Sequence, residues 1–323
     1  MHHSGECGIM FYDHAGGLMD HCEVFANHLS GMEIRQHSDP TVRNSRFFDG
    51  QQAGALIWSE GRGTLENCEF SGHSMSQIEV REKGNPIITR CKIHDGQSVG
   101  IYFQQFAGGT VSDCEIAASK LANIEIATKS QPTIHDCRIH DGSYPGIFVH
   151  DGGAGVIENC EVWGNSLAGM EVRSGATPVI RGCTFRNGQQ CGVYFNEDAG
   201  GLMEDCEISK NAFSGLELKK CVSPMIRRTT TRDNAQCGVL VWSKARGLLE
   251  GCQIIGNLFA GIEIREGAFP MIKECYIQSN GYQGVWVYGD SGATIERCDL
   301  SRNTKGALKI EPGARVTRTG NIE

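Results

Sequence analysis

Three short apolar runs recur along the chain at a fixed spacing of 23 residues, with polar residues between their members. The frame is easiest to see from Gly8. Stepping by 23 from it reaches Gly31, Gly54, Gln77, Gly100, Asn123, Gly146, Gly169, Gly192, Gly215, Gly238, Gly261 and Gly284, so eleven of thirteen positions are Gly. One and three residues after the Gly come pairs such as Ile101 and Phe103, or Ile262 and Ile264. Eleven after it every residue is apolar, from Met19 and Val42 through Ile157 to Ile295. Fourteen and sixteen after it stand a Cys and an aliphatic residue, as in Cys91 and Ile93, or Cys160 and Val162. Alternation with a period of two inside each run predicts half-buried strands of a few residues.

Corners fall between the runs. Nine residues after the repeat Gly, Gly and Pro alternate (Gly17, Pro40, Gly63, Pro86, Gly109, Pro132). Nineteen after it comes Asn or Gly in most coils, such as Asn165, Gly188, Asn211 and Asn234. Gly and Asn tolerate left-handed backbone and Pro pre-sets a turn. The Gly/Pro alternation makes the true unit a pair of coils, 46 residues long. Repeats of this size mean a solenoid in which each unit packs on its neighbours. The expectation is an all-β, right-handed parallel β-helix of about 13–14 coils, a single repeat domain over residues 1–323. The competitor is a leucine-rich horseshoe, because residues 157–167 fit its consensus and 23 lies within its period range. Against it, Gly261 to Arg265 followed by Pro270 offers no helical face.

The paired coils resemble right-handed β-helix repeats of the carbohydrate-binding and sugar-hydrolase type. They are most similar to those of F-box-only substrate receptors of ubiquitin ligases and of related bacterial proteins. Gly169 to Arg173 with Pro178, and Asp141-Gly142 ahead of Gly146 to Val149, carry the likeness over about residues 5–311. It implies fold and leaves function open, since such coils occur in enzymes and scaffolds alike. No F-box or zinc module accompanies the repeats, and Cys fills a column where those receptors often carry Asn.

Composition narrows the function. Net charge is −8 with scattered Lys and Arg, which lacks the footprint of a nucleic-acid binder. No apolar stretch approaches a membrane span, and Met1 to Met10 has no secretory pattern. The fifteen Cys are mostly one column from Cys22 to Cys298, interrupted by Ser45 and Thr229. Small replacements suit a packing rule and not a set of metal or redox thiolates. A column of free thiols implies a reducing, cytoplasmic or nuclear compartment.

Outward columns hold the candidate chemistry. Fifteen after the Gly, Glu23, Arg46, Glu69, Lys92, Glu115 and Arg138 alternate in charge, a structural pattern across strands. Two and four after it, aromatics alternate with Glu and Arg, and these residue types anchor partners. The candidate binding residues are Tyr102, Glu125, Phe148, His150, Glu171, Arg173 and Tyr194. The breaks in the Gly column at Gln77 and Asn123 mark the region in which function is expected. Glu residues two coils apart stand about 9.6 Å from each other, too far for a retaining glycosidase pair. The column is uniform and no long loops form a cleft. No catalytic, metal or cofactor residues are therefore assigned. The leading reading is a non-catalytic scaffold recognising a protein or peptide. The alternative is a polysaccharide-binding protein, or a lyase or hydrolase of the pectin-degrading type, and a bare spacer is the third.

Overall fold

A computed structural model describes residues 1–323 and contains strands and turns but no helix. Each coil contributes three strands, most of them three residues long. The chain forms two compact units, Met1–Glu161 and Val162–Glu323. In the first unit, strands such as Ile78–Val80, Ile101–Phe103 and Ile124–Ile126 build a first parallel sheet. Its register is one full coil, pairing Glu79 with Tyr102 and Tyr102 with Glu125. A second sheet pairs Ile88 with Val111, and a third pairs Ile93 with Ile116. The second unit repeats the plan, with Val193–Phe195 on Leu216–Leu218, Leu202–Glu204 on Met225–Arg227, and Glu207–Ser209 on Thr230–Arg232. This is a parallel β-solenoid of about 14 coils with 23 residues per turn. Three strands per coil and no helix exclude the leucine-rich alternative.

The core follows from the alternation. Inward residues such as Ile78, Val80, Ile88, Ile93, Ile101 and Phe103 are fully buried. Stacking puts the same residue type one strand spacing away in the next coil, so each column is a continuous apolar wall.

The 46-residue unit has a steric cause. Gly109 has φ +116, and a Cβ on it would lie 2.6 Å from the carbonyl oxygen of Pro86 one coil earlier. Thr110 N–H donates to that same carbonyl at 2.9 Å. A Pro corner thus demands a Gly corner on top of it.

The Cys column is explained by one bond. Cys68 and Cys114 donate to the carbonyls of Glu66 and Ser112, two residues back, at 3.4 and 3.1 Å. Ser45 makes the same bond to Arg43 at 2.8 Å, and Thr229 to Arg227 at 3.0 Å. What this corner selects is a small side chain with a donor.

Behind the first sheet runs a polar column. In the second unit Asn211, Asn234, Asn257, Asn280 and Asn303 hand an amide bond from coil to coil at 2.9–3.1 Å. In the first unit Asn27, His73 and Ser119 alternate with Gly50, Gly96 and Gly142. Gln77 and Asn123 belong here. Both are fully buried and face inward, so the breaks in the Gly column are not surface features. Asn123 Oδ1 accepts from Ser119 N–H at 3.2 Å, standing in for the ladder Asn that Gly142 lacks. The expectation of function at these breaks is corrected accordingly.

Candidate binding surface

Each coil turns outward the middle residue of its first-sheet strand and the residue just past that strand, and these build the strip in each unit. In the first unit one edge is a stack of rings and cations. The Arg35 guanidinium lies 5.9 Å from the Tyr12 ring and 5.4 Å from the Trp58 ring, and Arg81 lies 5.5 Å from Trp58 on its other side. The Nε atoms of Arg35 and Arg81 and the Trp58 indole N–H are buried without a protein partner. Unpartnered buried donors are costly, so the stack is held at some expense in hydrogen bonding.

Further along the same unit the strip becomes a bonded cluster. Glu79 accepts from Gln104 Nε2 at 2.9 Å. His150 bridges two carboxylates, Glu125 through Nε2 at 3.0 Å and Asp151 through Nδ1 at 2.9 Å. Burial lowers the His150 pKa, but Glu125 and Asp151 outweigh it, and the net shift is upward. Burial together with Glu125 and Glu79 pushes the Tyr102 phenol up to about 12. Tyr102, Glu125 and His150 therefore form one half-buried surface of hydrogen-bonding groups.

Phe148 differs from expectation. It is only 5% exposed, because Tyr144 from the preceding corner meets it edge-on at 6.2 Å and His150 stacks on it at 4.3 Å. Leu56 is likewise buried. The strip is thus less aromatic in water than its sequence suggests, and what reaches solvent is the cation-and-ring edge and the polar cluster.

In the second unit Glu171 has Arg173 at 3.7 Å, and burial with Glu217 and Glu171 raises the Tyr194 phenol. The stronger cluster is one the sequence reading did not single out. Trp242 donates its indole N–H to Glu217 at 2.8 Å, while Lys219 and Arg265 lie 3.9 and 5.0 Å from its ring. Glu263 accepts from the Tyr288 hydroxyl and from the Cys237 thiol at 3.2 Å. A hollow of about 270 Å³ lies between Gln236, Leu240, Phe259, Glu263 and Arg265. The signal in the sequence was the coincidence of Trp242 with Lys219 and Arg265 one coil to either side.

The model of the right-handed β-helix region matches residues 52–180 and 173–322. No curated protein matches the chain by sequence. Among solved structures, the periplasmic alginate epimerase AlgG is similar with a TM-score of 0.63 and 13% identity, over 89% of this chain and 78% of that one. The A-module of the Azotobacter vinelandii mannuronan C-5 epimerase AlgE6 gives 0.61 and 12%, over 95% and 90%. The AlgE4 A-module from the same organism gives 0.51 and 11%, over 91% and 84%. At these identities the likeness is one of fold.

The expected intracellular, reducing compartment is overturned by these neighbours, one of which is a periplasmic enzyme. The physical reason lies in the Cys column. From Cys68 onward its thiols are buried, and members such as Cys68 and Cys114 bond backbone carbonyls, so they report packing at a corner and carry no information about the redox state outside.

Proposed function

The chain belongs to the right-handed β-helix family, and from that footing we propose that it binds an acidic polysaccharide along the outward face of the first sheet. The observation that carries this reading is the Tyr12–Arg35–Trp58–Arg81 stack of alternating rings and cations. Ring faces suit the apolar faces of sugars, and guanidinium forks suit carboxylates. The same pairing recurs in the second unit at Lys219, Trp242 and Arg265. With a net charge of −8, non-specific attraction cannot supply the affinity, so it must come from placed cations. Tyr102, Glu125 and His150, with Glu171, Arg173 and Tyr194 in the other unit, are the groups suited to sugar hydroxyls and carboxylates. The solved structures of similar fold act on alginate, a polyuronate, which supports the substrate class.

Recognition of a protein partner, the leading expectation from sequence, has less behind it. Its candidate apolar anchor Phe148 is buried, and the solved structures of similar fold give no support to kinship with ubiquitin-ligase receptors.

Calorimetric titration with alginate, polygalacturonate and a neutral β-glucan tests the proposal. Binding of the acidic polymers alone is expected, with an affinity loss of about tenfold or more in Arg35→Gln and in Arg81→Gln. Equal binding of the neutral glucan, or none of the acidic ones, would sink it.

A further inference from the structure

We infer that Phe106 is the stacking platform of a second sugar-ring subsite, set on the turns that flank the strip; this rests on the polysaccharide reading above and extends it. The turn Gln104 to Ala107 closes with Ala107 N–H donating to the Gln104 carbonyl at 3.3 Å. Its central residues Gln105 and Phe106 have φ of 55 and 63, a type I′ turn. Both central positions favour Gly, Asn or Asp. Gly152, Gly175 and Gly267 hold the place of Phe106 in three coils, while non-Gly residues such as His37, Lys83, Lys129, Asp198 and Lys244 hold it with the same positive φ in others. Left-handed backbone is thus common to this position, and what sets Phe106 apart is a large apolar ring where the other side chains are mostly polar, which the turn does not ask for. Nor does packing ask for it, because Phe106 is 59% exposed.

The surroundings supply a use. Three successive turns give Ser59 and Glu60, Glu82 and Lys83, and Gln105 and Phe106 as the lining of a hollow of about 510 Å³. That volume is in the range of small-ligand sites. Lys83 Nζ stands 3.9 Å from Glu60, so the rim carries both signs of charge. A pyranose presents a C–H face that a phenyl ring covers and a rim of hydroxyls that Ser59, Glu82, Lys83 and Gln105 can bond. The residue preceding each of these turn pairs is Trp58, Arg81 or Gln104, all members of the strip. One polysaccharide chain can therefore lie on the strip and place its next ring in the hollow.

The test compares Phe106→Gly, Phe106→Tyr and Asp198→Gly, the last an equivalent left-handed turn position in the second unit with φ 58. Thermal midpoint and affinity for a long alginate oligosaccharide are measured for each, beside the wild type and Arg81→Gln. Phe106→Gly should raise the midpoint by relieving the turn yet weaken binding about tenfold or more. Phe106→Tyr should keep the affinity, and Asp198→Gly, which replaces one turn-suited residue by another, should leave the affinity unchanged and the midpoint nearly so. If Arg81→Gln loses binding while Phe106→Gly binds as the wild type does, the subsite is wrong and the strip reading stands. A lowered midpoint in Phe106→Gly would make the ring structural and overturn the subsite. If the wild type does not bind the oligosaccharide, the strip reading fails and the subsite fails with it.

Discussion

Gln77 occupies the space that Gly96 leaves: a Cβ on Gly96 would lie 2.6 Å from Gln77 Nε2. The two residues are 19 apart in one coil, the repeat-Gly position and the ladder position, and only one of them can carry a side chain there. In the coil of Gly142, Asn123 takes that role, its Oδ1 accepting from Ser119 N–H at 3.2 Å. Neither polar atom of Gln77 has a protein partner, a burden of about 1–3 kcal/mol per orphaned group.

Exchanging the pair should therefore help. Gln77→Gly alone opens a cavity and Gly96→Asn alone clashes, so each should lose stability, by about 1–3 kcal/mol. The double variant restores the regular Gly and Asn of the second unit and should match or exceed the wild type. Urea unfolding of all four proteins measures the coupling, and simple additivity would show that the two residues do not share a space.

His73 takes the ladder position two coils from Asn27, and burial lowers its pKa to about 4. A depressed histidine favours the folded state while it is neutral. In the unfolded chain it titrates near 6.5, so the unfolded state gains protons first as pH falls. Stability from this group is full above about pH 6.5 and drains between there and about pH 4, by about 3 kcal/mol. His73→Asn puts the regular ladder residue there and should flatten that part of the stability curve. A curve unchanged by the substitution would place the acid sensitivity elsewhere.

The coils, their register and the two-coil unit were all legible, because a period of 23 without insertion leaves each strand one possible partner. The Cys column could be read too, since Ser45 and Thr229 betray a rule of size and donor. What stayed hidden was depth. Phe148 shares the outward parity of Tyr102, yet the ring of Tyr144 arrives from a corner whose path no alternation predicts. Gln77 and Asn123 looked like breaks in a surface pattern because a glycine column does not say which way its missing side chains would point. The type I′ turns were masked by their occupants, as Glu82, Lys83, Gln105 and Phe106 all hold positive φ where turn chemistry favours Gly or Asn.

His150 gives the strip a pH dependence. Its folded pKa is raised, so its contribution to stability is full below the unfolded value of about 6.5 and is lost as pH rises through the folded value. The same proton removes one of the two negative charges of the Glu125–His150–Asp151 cluster and so lessens its repulsion of a carboxylate. Affinity for polygalacturonate should therefore fall as pH rises through the folded value, and His150→Gln should show a flat profile. An identical decline in the variant would assign the titration to another group.

The thiols offer the sharpest separation of packing from chemistry. Cys221 is the exposed thiol, while Cys91, Cys114, Cys137 and Cys160 are buried in the column and burial pushes the separate Cys191 thiol up. A thiol reagent should modify Cys221 quickly in the native protein and the column from Cys68 to Cys298 only on unfolding. Cys114→Ser keeps the donor to the Ser112 carbonyl and should cost less than about 1.5 kcal/mol. Cys114→Leu overfills the corner and should cost about 1–3 kcal/mol. Urea midpoints decide between the two substitutions. Equal costs would mean that the column answers to the sulfur itself, because volume and donor are then no longer what the corner selects.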